Sequence, residues 1–411
     1  MLKAFKYRIA PTPDQAELLN KHCGAVRFVY NLALETKTFA YSTKQVNVSR
    51  MELSAQLTDL KKECEWLKEV NSQSLQSALL NLDIAYSNFF KGTADFPTFK
   101  KKNRKQSFQC PQNVVVDFTK GTIDLPKFKE PIKAVFHRTF TGSVRTVTIS
   151  RTPTGKYFAS VLVDTAAVIP TKAPVERSTS VGVDLGIKTF AVLSDGTEYA
   201  NPKHLNQSID RLKVLQRRAS KKKKGSNNRK KANRKVAVLH EKIANQRKDF
   251  LHKASDAITK RYDTVVLEDL AVANMVKNPG RSGVPGEPHK LARSISDAGW
   301  GMFRQFVEYK SEWRGKNVLT IGRFEPSSKL HNTCGYINKD LLSSDREWIC
   351  PNCNELVSRD LNASINILNF GLLKHSGRQS SGEPVESPTL VGTLKQEKLK
   401  RASAPAYRPD L

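Results

Sequence analysis

The chain has 411 residues, 39% of them hydrophobic, and a formal charge of +29 from 68 Lys+Arg against 39 Asp+Glu. That length supports two or three domains with real cores, and the composition is not that of a disordered chain. The charge excess strains a compact state unless a polyanion neutralises it, so nucleic acid is the expected partner and an anionic membrane the rival.

Leu2 to Ile9 alternates apolar and basic residues and reads as a strand. Thr12-Pro13-Asp14-Gln15 is a helix start, with Thr12 as N-cap and Gln15 three residues on. The helix is expected to run to about Ala40. A second fits Met51 to Trp66, and a third fits Ser74 to Phe90 through Leu75, Leu79, Leu82, Tyr86 and Phe89. From Phe96 the texture changes to short β-type runs at Val114–Val116, Val135–His137, Val144–Ile149 and Tyr157–Val163. These predict a small β-barrel that recruits the N-terminal strand. Val168 to Glu176 reads as a linker.

Val181-Gly-Val-Asp184 then leads an acid out of an apolar strand, and Thr189 to Leu193 returns as a second strand. An acid in such a strand needs a partner or a metal. Arg211 to Lys260 is the most basic tract, read as two long helices broken at Gly225-Ser226-Asn227-Asn228. A charge run is often only a solvated face, but acids are too few here to pair the bases. Lys221, Lys222, Lys223, Lys224, Arg229, Lys230 and Lys231 are therefore candidates for a phosphate backbone. Thr264 to Leu267 is a buried-type strand ending at Glu268. Residues 276–290, rich in Gly and Pro, read as a mobile loop. Ser296 to Lys316 reads as an amphipathic helix and Asn317 to Ile321 as a strand. The tail from His375 to Leu411 lacks periodicity and is expected to be disordered.

Two constellations carry chemistry. His331-x2-Cys334 and Cys350-x2-Cys353 offer four N or S donors on two knuckles, the spacing of a closed structural zinc site. The alternative is a lone redox pair at Cys350 and Cys353. Asp184, Glu268 and Asp360 offer three carboxylates that could meet on a sheet and hold two Mg²⁺ ions. By spacing alone, an N-cap role for Asp360 and a solvated Glu268 remain open. Cys23, Cys64 and Cys110 read as buried thiols. No run of about 18 apolar residues marks a membrane span, and no signal-peptide pattern opens the chain. No membrane partner is expected, and the location expected is cytoplasmic.

Val181 to Lys188, Leu267-Glu268, Ser294 to Trp300, Pro326 to Lys329, Cys350 to Cys353 and Arg359 to Ala363 resemble, in order, motifs of the TnpB family. Arg27 to Asn31 and Phe96 to Phe99 are similar to its N-terminal half. These are transposon-encoded RNA-guided DNA nucleases related to compact type V CRISPR effectors. The resemblance implies an α+β multidomain fold. Its β-barrel wedge would span residues 1–10 and 96–170, and an inserted helical recognition domain 11–95. A RuvC-like nuclease domain with RNase H fold would span 178–325 and 356–372, with a zinc ribbon inserted at 326–355. It further implies that Asp184, Glu268 and Asp360 are catalytic, that Gln76 reads a short target-adjacent motif, and that guide RNA and double-stranded DNA are the partners. The sequence departs from the family at His331, where Cys is usual, at Asn354 for a usual Gly, and at Val357-Ser358 for a usual His-Asp. Imidazole serves zinc, so metal retention with altered affinity is expected. A guided DNA-binding regulator without cleavage and a transposase or transposase accessory protein are the alternatives. Oligomeric state is not legible.

Overall fold

The computed structural model describes residues 1–102, 106–276, 287–342 and 344–380, with backbone alone at 287–290 and 378–380. Strand β1 (Leu2–Ala10) leads into three helices, α1 (Pro13–Lys44), α2 (Arg50–Glu63) and α3 (Ser72–Phe90). Thr12 and Gln15 form a reciprocal capping box at α1, and Ser49 and Glu52 form another at α2. Six strands follow: β2 (Gln106–Cys110), β3 (Val115–Asp117), β4 (Thr122–Asp124), β5 (Ile132–Val135), β6 (Ser143–Arg151) and β7 (Tyr157–Asp164).

The N-terminal strand is recruited as expected: β1 pairs antiparallel with both β7 and β5. The sheet does not close. Its order is β2-β6-β7-β1-β5-β4-β3, and the edge strands β2 and β3 are not paired with each other. The β-barrel expectation is therefore corrected to an open seven-stranded sheet. Closure demands edge strands long enough to share a staggered ladder. Here β3 and β4 are three residues each. Instead, residues of the helices and of the strands share one core, where Leu19, Val26, Leu75 and Leu79 are buried together with Tyr7, Phe108 and Val161.

The second sheet is mixed, with order β10-β9-β8-β11-β12. It comprises β8 (Ser180–Leu185), β9 (Thr189–Leu193), β10 (Glu198–Ala200), β11 (Thr264–Glu268) and β12 (Asn317–Ile321). β8, β11 and β12 run parallel, β9 returns antiparallel to β8, and β10 pairs antiparallel with β9. Between β10 and β11 lie the basic helices α4 (His204–Ser220) and α5 (Asn227–Arg261). After β11 come the short α6 (Val272–Met275), α7 (Glu287–Ala298) and α8 (Trp300–Trp313). Most of the loop expected at 276–290 falls outside the described residues. A small hairpin, β13 (Glu347–Ile349) and β14 (Leu356–Ser358), feeds directly into α9 (Arg359–Ser380). Residues 375–380 are thus helical rather than part of a disordered tail, and 381–411 lie outside the described residues.

Helix α9 lies unusually close to the sheet, and two glycines permit it. A Cβ at Gly182 on β8 would come within 2.1 Å of the Ser364 carbonyl oxygen of α9. A Cβ at Gly371 on α9 would come within 2.4 Å of Val266 Cγ1 on β11. The crossing buries Val266, Ile321, Ile367 and Leu368 together. On the other face, Val181, Val183, Phe190 and Leu267 pack against Leu251, Ile258 and Phe303 of α5 and α8.

The helical pair α4–α5 is pinned by Asp297 of α7. Lys203 at the α4 N-cap supplies no side-chain hydrogen bond, and the Leu205 amide donates to Asp297 Oδ2 at 3.0 Å instead. Arg247 of α5 donates from Nη2 to Asp297 Oδ1 at 2.7 Å. One buried carboxylate therefore ties three helices together.

These packing distances carry a paired test. Gly182→Ala should cost at least about 3 kcal/mol, because the obstructing atom is backbone and cannot yield as a side chain would. Gly24→Ala, in the middle of α1 with no atom within 4 Å of the new Cβ, should instead stabilise by about 0.5–1 kcal/mol. Urea midpoints of the two variants against the parent chain check both signs.

Candidate active site and metal centre

Asp184 stands near the C-terminal end of β8 and Glu268 at the end of β11. The two strands are parallel neighbours with Val183 opposite Leu267, so both acids emerge at the same edge. This is also where the sheet reverses direction, β9 lying on one side of β8 and β11 on the other. Ligands of open α/β sheets bind at carboxyl strand ends beside such a reversal. Asp360 joins from the first turn of α9, carried there by the close crossing at Gly182.

The three carboxylates feel one another. Burial, then the negative charges of Glu268 and Asp360, push the Asp184 carboxyl up to about 7, against the pull of Arg359 and Arg346. Each neighbour also has a partner: Ser327 Oγ donates to Glu268 at 2.6 Å, and Arg346 Nη1 donates to Asp360 at 3.2 and 3.3 Å. The oxygens of the three acids are not all drawn within 4.8 Å of one another, unlike the tighter donor set below. Hard carboxylate oxygens, one of them disfavoured as an anion by its neighbours, fit divalent cations such as Mg²⁺.

The second set is tightly converged. One atom each of His331, Cys334, Cys350 and Cys353 lies within 4.8 Å of all the others. His331 Nδ1 is 3.2 Å from Cys334 Sγ and 3.4 Å from Cys353 Sγ, and Cys334 Sγ is 3.5 Å from Cys350 Sγ. A zinc tetrahedron with bonds of about 2.0–2.3 Å has edges of about 3.3–3.8 Å, so the donors fit zinc. Hydrogen bonding from Asn352, then from the Tyr336 backbone, lowers the Cys334 thiol to about 6, which favours the ligating thiolate.

The two knuckles repeat each other. The Gly335 amide donates to the His331 carbonyl at 2.9 Å, and the Asn354 amide to the Cys350 carbonyl at 2.8 Å. Both turns need a left-handed residue: Gly335 has φ +75° and Asn354 φ +54°. Asn is among the few side chains that adopt this region readily, which explains how Asn354 stands where Gly is usual.

Comparison with known proteins places this geometry. The OrfB_IS605 family profile, described as "Probable transposase", matches residues 160–279, and a "Cas12f1-like, TNB domain" profile matches 300–367. A "Helix-turn-helix domain" profile matches residues 1–45, which in this fold hold β1 and the single helix α1. A Streptomyces pristinaespiralis protein named as an RNA-guided DNA endonuclease is 41% identical, over 98% of this chain and 97% of its own. The chain belongs to the TnpB (IS605 OrfB) family. Another relative, named as RNA-guided DNA endonuclease InsQ of Escherichia coli K12, is 35% identical over 94% of this chain and 98% of its own. A solved Cas12f1–sgRNA–target DNA complex shares the fold, with a TM-score of 0.55 and 15% identity, over 87% of this chain and 83% of that one.

In this TnpB-family chain the basic tract is a helical hairpin. Leu212, Leu239 and Ile243 bury against one another between α4 and α5. His204 to Arg261 carries nineteen Lys and Arg against four Asp and Glu. Each of the four acids already holds a base: Asp210 pairs with Lys213, Glu241 with Lys156, Asp249 with Lys253, and Asp256 with Lys260 and Arg314. Lys221, Lys222, Lys223, Lys224, Lys230 and Lys231 are exposed around the turn, with Arg229 partly so. Gln76 lies on α3, partly exposed, and accepts a hydrogen bond from Ser54 of α2 at 2.9 Å. No helix among the described residues is long and apolar enough to cross a membrane.

Sequence reasoning missed the wiring between the two centres. Asn362 and Asn366, four residues apart on α9, are buried. Asn362 accepts from the Asn332 amide at 2.8 Å and donates to the Leu330 carbonyl at 2.7 Å. Asn366 donates to the carbonyls of Ser327 and Leu330. The segment that holds Glu268 through Ser327 and ends in the ligand His331 is thereby stapled to α9. The available signal was two amides at helical spacing on an apolar face.

Two outcomes follow from this arrangement. The purified protein should carry one zinc per chain; His331→Ala should lose it and His331→Cys keep it, as read by metal analysis. Asp184 has a folded pKa near 7 against an ordinary 3.8, so the native state binds the extra proton between those values. Stability should therefore fall as pH rises from about 4 to 7. Mg²⁺ should restore the melting temperature at pH 8, and Asp184→Asn should remove both the slope and the Mg²⁺ gain.

Proposed function

We propose that this TnpB-family protein is an RNA-guided, metal-dependent DNA endonuclease whose catalytic residues are Asp184, Glu268 and Asp360. One observation supports this most: Glu268 and Asp360, brought from positions far away in the chain, act electrostatically on Asp184 at the reversal point of a mixed sheet. The names borne by the relatives at 41% and 35% identity point the same way. In this reading residues 178–325 and 356–372 form a RuvC-like nuclease domain, and 326–355 a zinc ribbon.

Two Mg²⁺ ions held by Asp184, Glu268 and Asp360 would supply water activation and stabilisation of the departing 3′ oxygen. The rest is the work of the chain's own groups. Ser327 holds Glu268 in one orientation through its hydroxyl. Arg346 orients Asp360 through its guanidinium. His331, Cys334, Cys350 and Cys353 would hold a zinc ion that ties the two knuckles together next to the point where β14 enters α9. The zinc set has four protein donors and is structural rather than catalytic.

Guide RNA and double-stranded target DNA are the proposed partners, with base pairing supplying sequence choice. The guide is proposed to derive from the transposon end. The exposed cations from Lys221 to Lys224 and Arg229 to Lys231 serve the phosphate backbone of that complex. Residues 11–95 form the recognition domain, and the open sheet takes the wedge role. Gln76, oriented by Ser54, is proposed to contact the short motif beside the target.

Asp184→Ala should abolish cleavage of a guide-matched target, by at least about a thousandfold, while RNA retention stays unchanged. Co-purified RNA and gel-resolved cleavage read the two quantities separately. Undiminished cutting would remove Asp184 from the reaction, and absence of any discrete bound RNA would remove the guide.

A further inference from the structure

A cavity of about 260 Å³ opens directly beside the proposed catalytic acids. Glu268 forms one wall, and Leu185, the neighbour of Asp184, forms another. Leu270, Trp300, Gly301 and Arg304 complete the features that matter. Its size lies below the roughly 300–1,000 Å³ of sites for drug-sized molecules, so it suits one ring system rather than a whole cofactor.

The lining selects an uncharged, flat group. Among the described residues Arg304 is the cation in the wall, and it is already committed to Asp269 at 3.0 Å and Glu308 at 2.8 Å. With Glu268 also present, the described lining offers a phosphate no spare positive charge. Aliphatic side chains and an indole suit an aromatic face.

Gly301 supplies the independent observation. It sits in the first turn of α8, where its backbone has no need of positive φ. No heavy atom lies within 4 Å of where its Cβ would be. A helical glycine is disfavoured against alanine, and here neither conformation nor crowding excludes a side chain. What the missing side chain does preserve is the open volume.

We propose that this cavity receives the nucleobase of the DNA nucleotide flanking the scissile phosphate, unstacked from its neighbours, and so positions that phosphate over Asp184, Glu268 and Asp360. The inference rests on the cleavage reaction proposed above. A base brings an apolar face for Leu185, Leu270 and Trp300. A nucleotide gripped by its base cannot slide along the acids, which makes Gly301 and Trp300 positioning residues for the cut site. Unstacking is least costly in single-stranded DNA.

The test uses the protein purified with its bound RNA and a set of guide-matched targets. Each target carries one abasic nucleotide within two positions of the mapped cut. With the parent protein, one abasic position should slow cleavage at least tenfold without changing target binding. Gly301→Leu, which fills the cavity, should slow the intact target comparably and become indifferent to that abasic position. Equal rates for the intact and every abasic target with the parent protein would overturn the base pocket and leave the nuclease reading standing. Additive losses from Gly301→Leu and the abasic nucleotide would overturn it equally. Failure to cut even the intact target would instead strike the nuclease reading itself.

Discussion

The architecture depends on one close crossing, that of helix α9 over strands β8 and β11. Gly182 and Gly371 face backbone and Val266 at separations that no Cβ tolerates. Helix and sheet therefore meet at backbone contact, with Ile367 and Leu368 buried around the crossing. Interiors are packed too densely to absorb an added methyl group there. The consequence is positional: Asp360, at the start of α9, is delivered to the strand ends that carry Asp184 and Glu268.

The segment that carries the His331, Cys334, Cys350 and Cys353 donors is part of that same construction rather than an appendage. β14 runs into α9 without a linker. The Arg359 amide donates to the Arg346 carbonyl, while the Arg346 side chain reaches Asp360. Asn362 and Asn366 bind the stretch from Ser327 to Asn332, whose first member holds Glu268. Buried amides of this kind are costly unless fully paired, and these are paired to backbone on both sides. The His331, Cys334, Cys350 and Cys353 donor set and the carboxylates at the sheet edge are thus linked through α9.

Charge is handled on a separate element. The α4–α5 hairpin buries only a thin stripe and exposes most of its cations, so repulsion within it is tolerated by solvent rather than by pairing. Its attachment is compact: Asp297 caps α4, grips Arg247 of α5 and belongs to α7. A second tie joins the hairpin to the first sheet, since Glu241 accepts from Lys156 at 2.8 Å and from the Thr154 hydroxyl. Acids are scarce in this hairpin, and two of the four, Glu241 and Asp256, tie it to Lys156 and Arg314 outside it.

The sequence by itself determined the local elements and the chemical inventory. Periodicity located most helices and strands because amphipathic spacing is a short-range property, though α1 runs on to Lys44, the second helix ends at Glu63, and the single helix expected from Ser296 to Lys316 is instead the end of α7 and all of α8, broken at Gly299. The H-x2-C and C-x2-C spacings gave the zinc donors because each knuckle is a local turn. The open edge of the first sheet was not legible, since closure depends on pairing between β2 and β3 rather than on either strand. The meeting of Asp184, Glu268 and Asp360 was suggested by motif order, but only tertiary packing brought their charges within reach of one another. The same holds for Gly182, Asn362, Asn366 and Arg346. Their roles arise from what lies across the crossing, and a linear pattern holds no record of that until the helix is laid on the sheet.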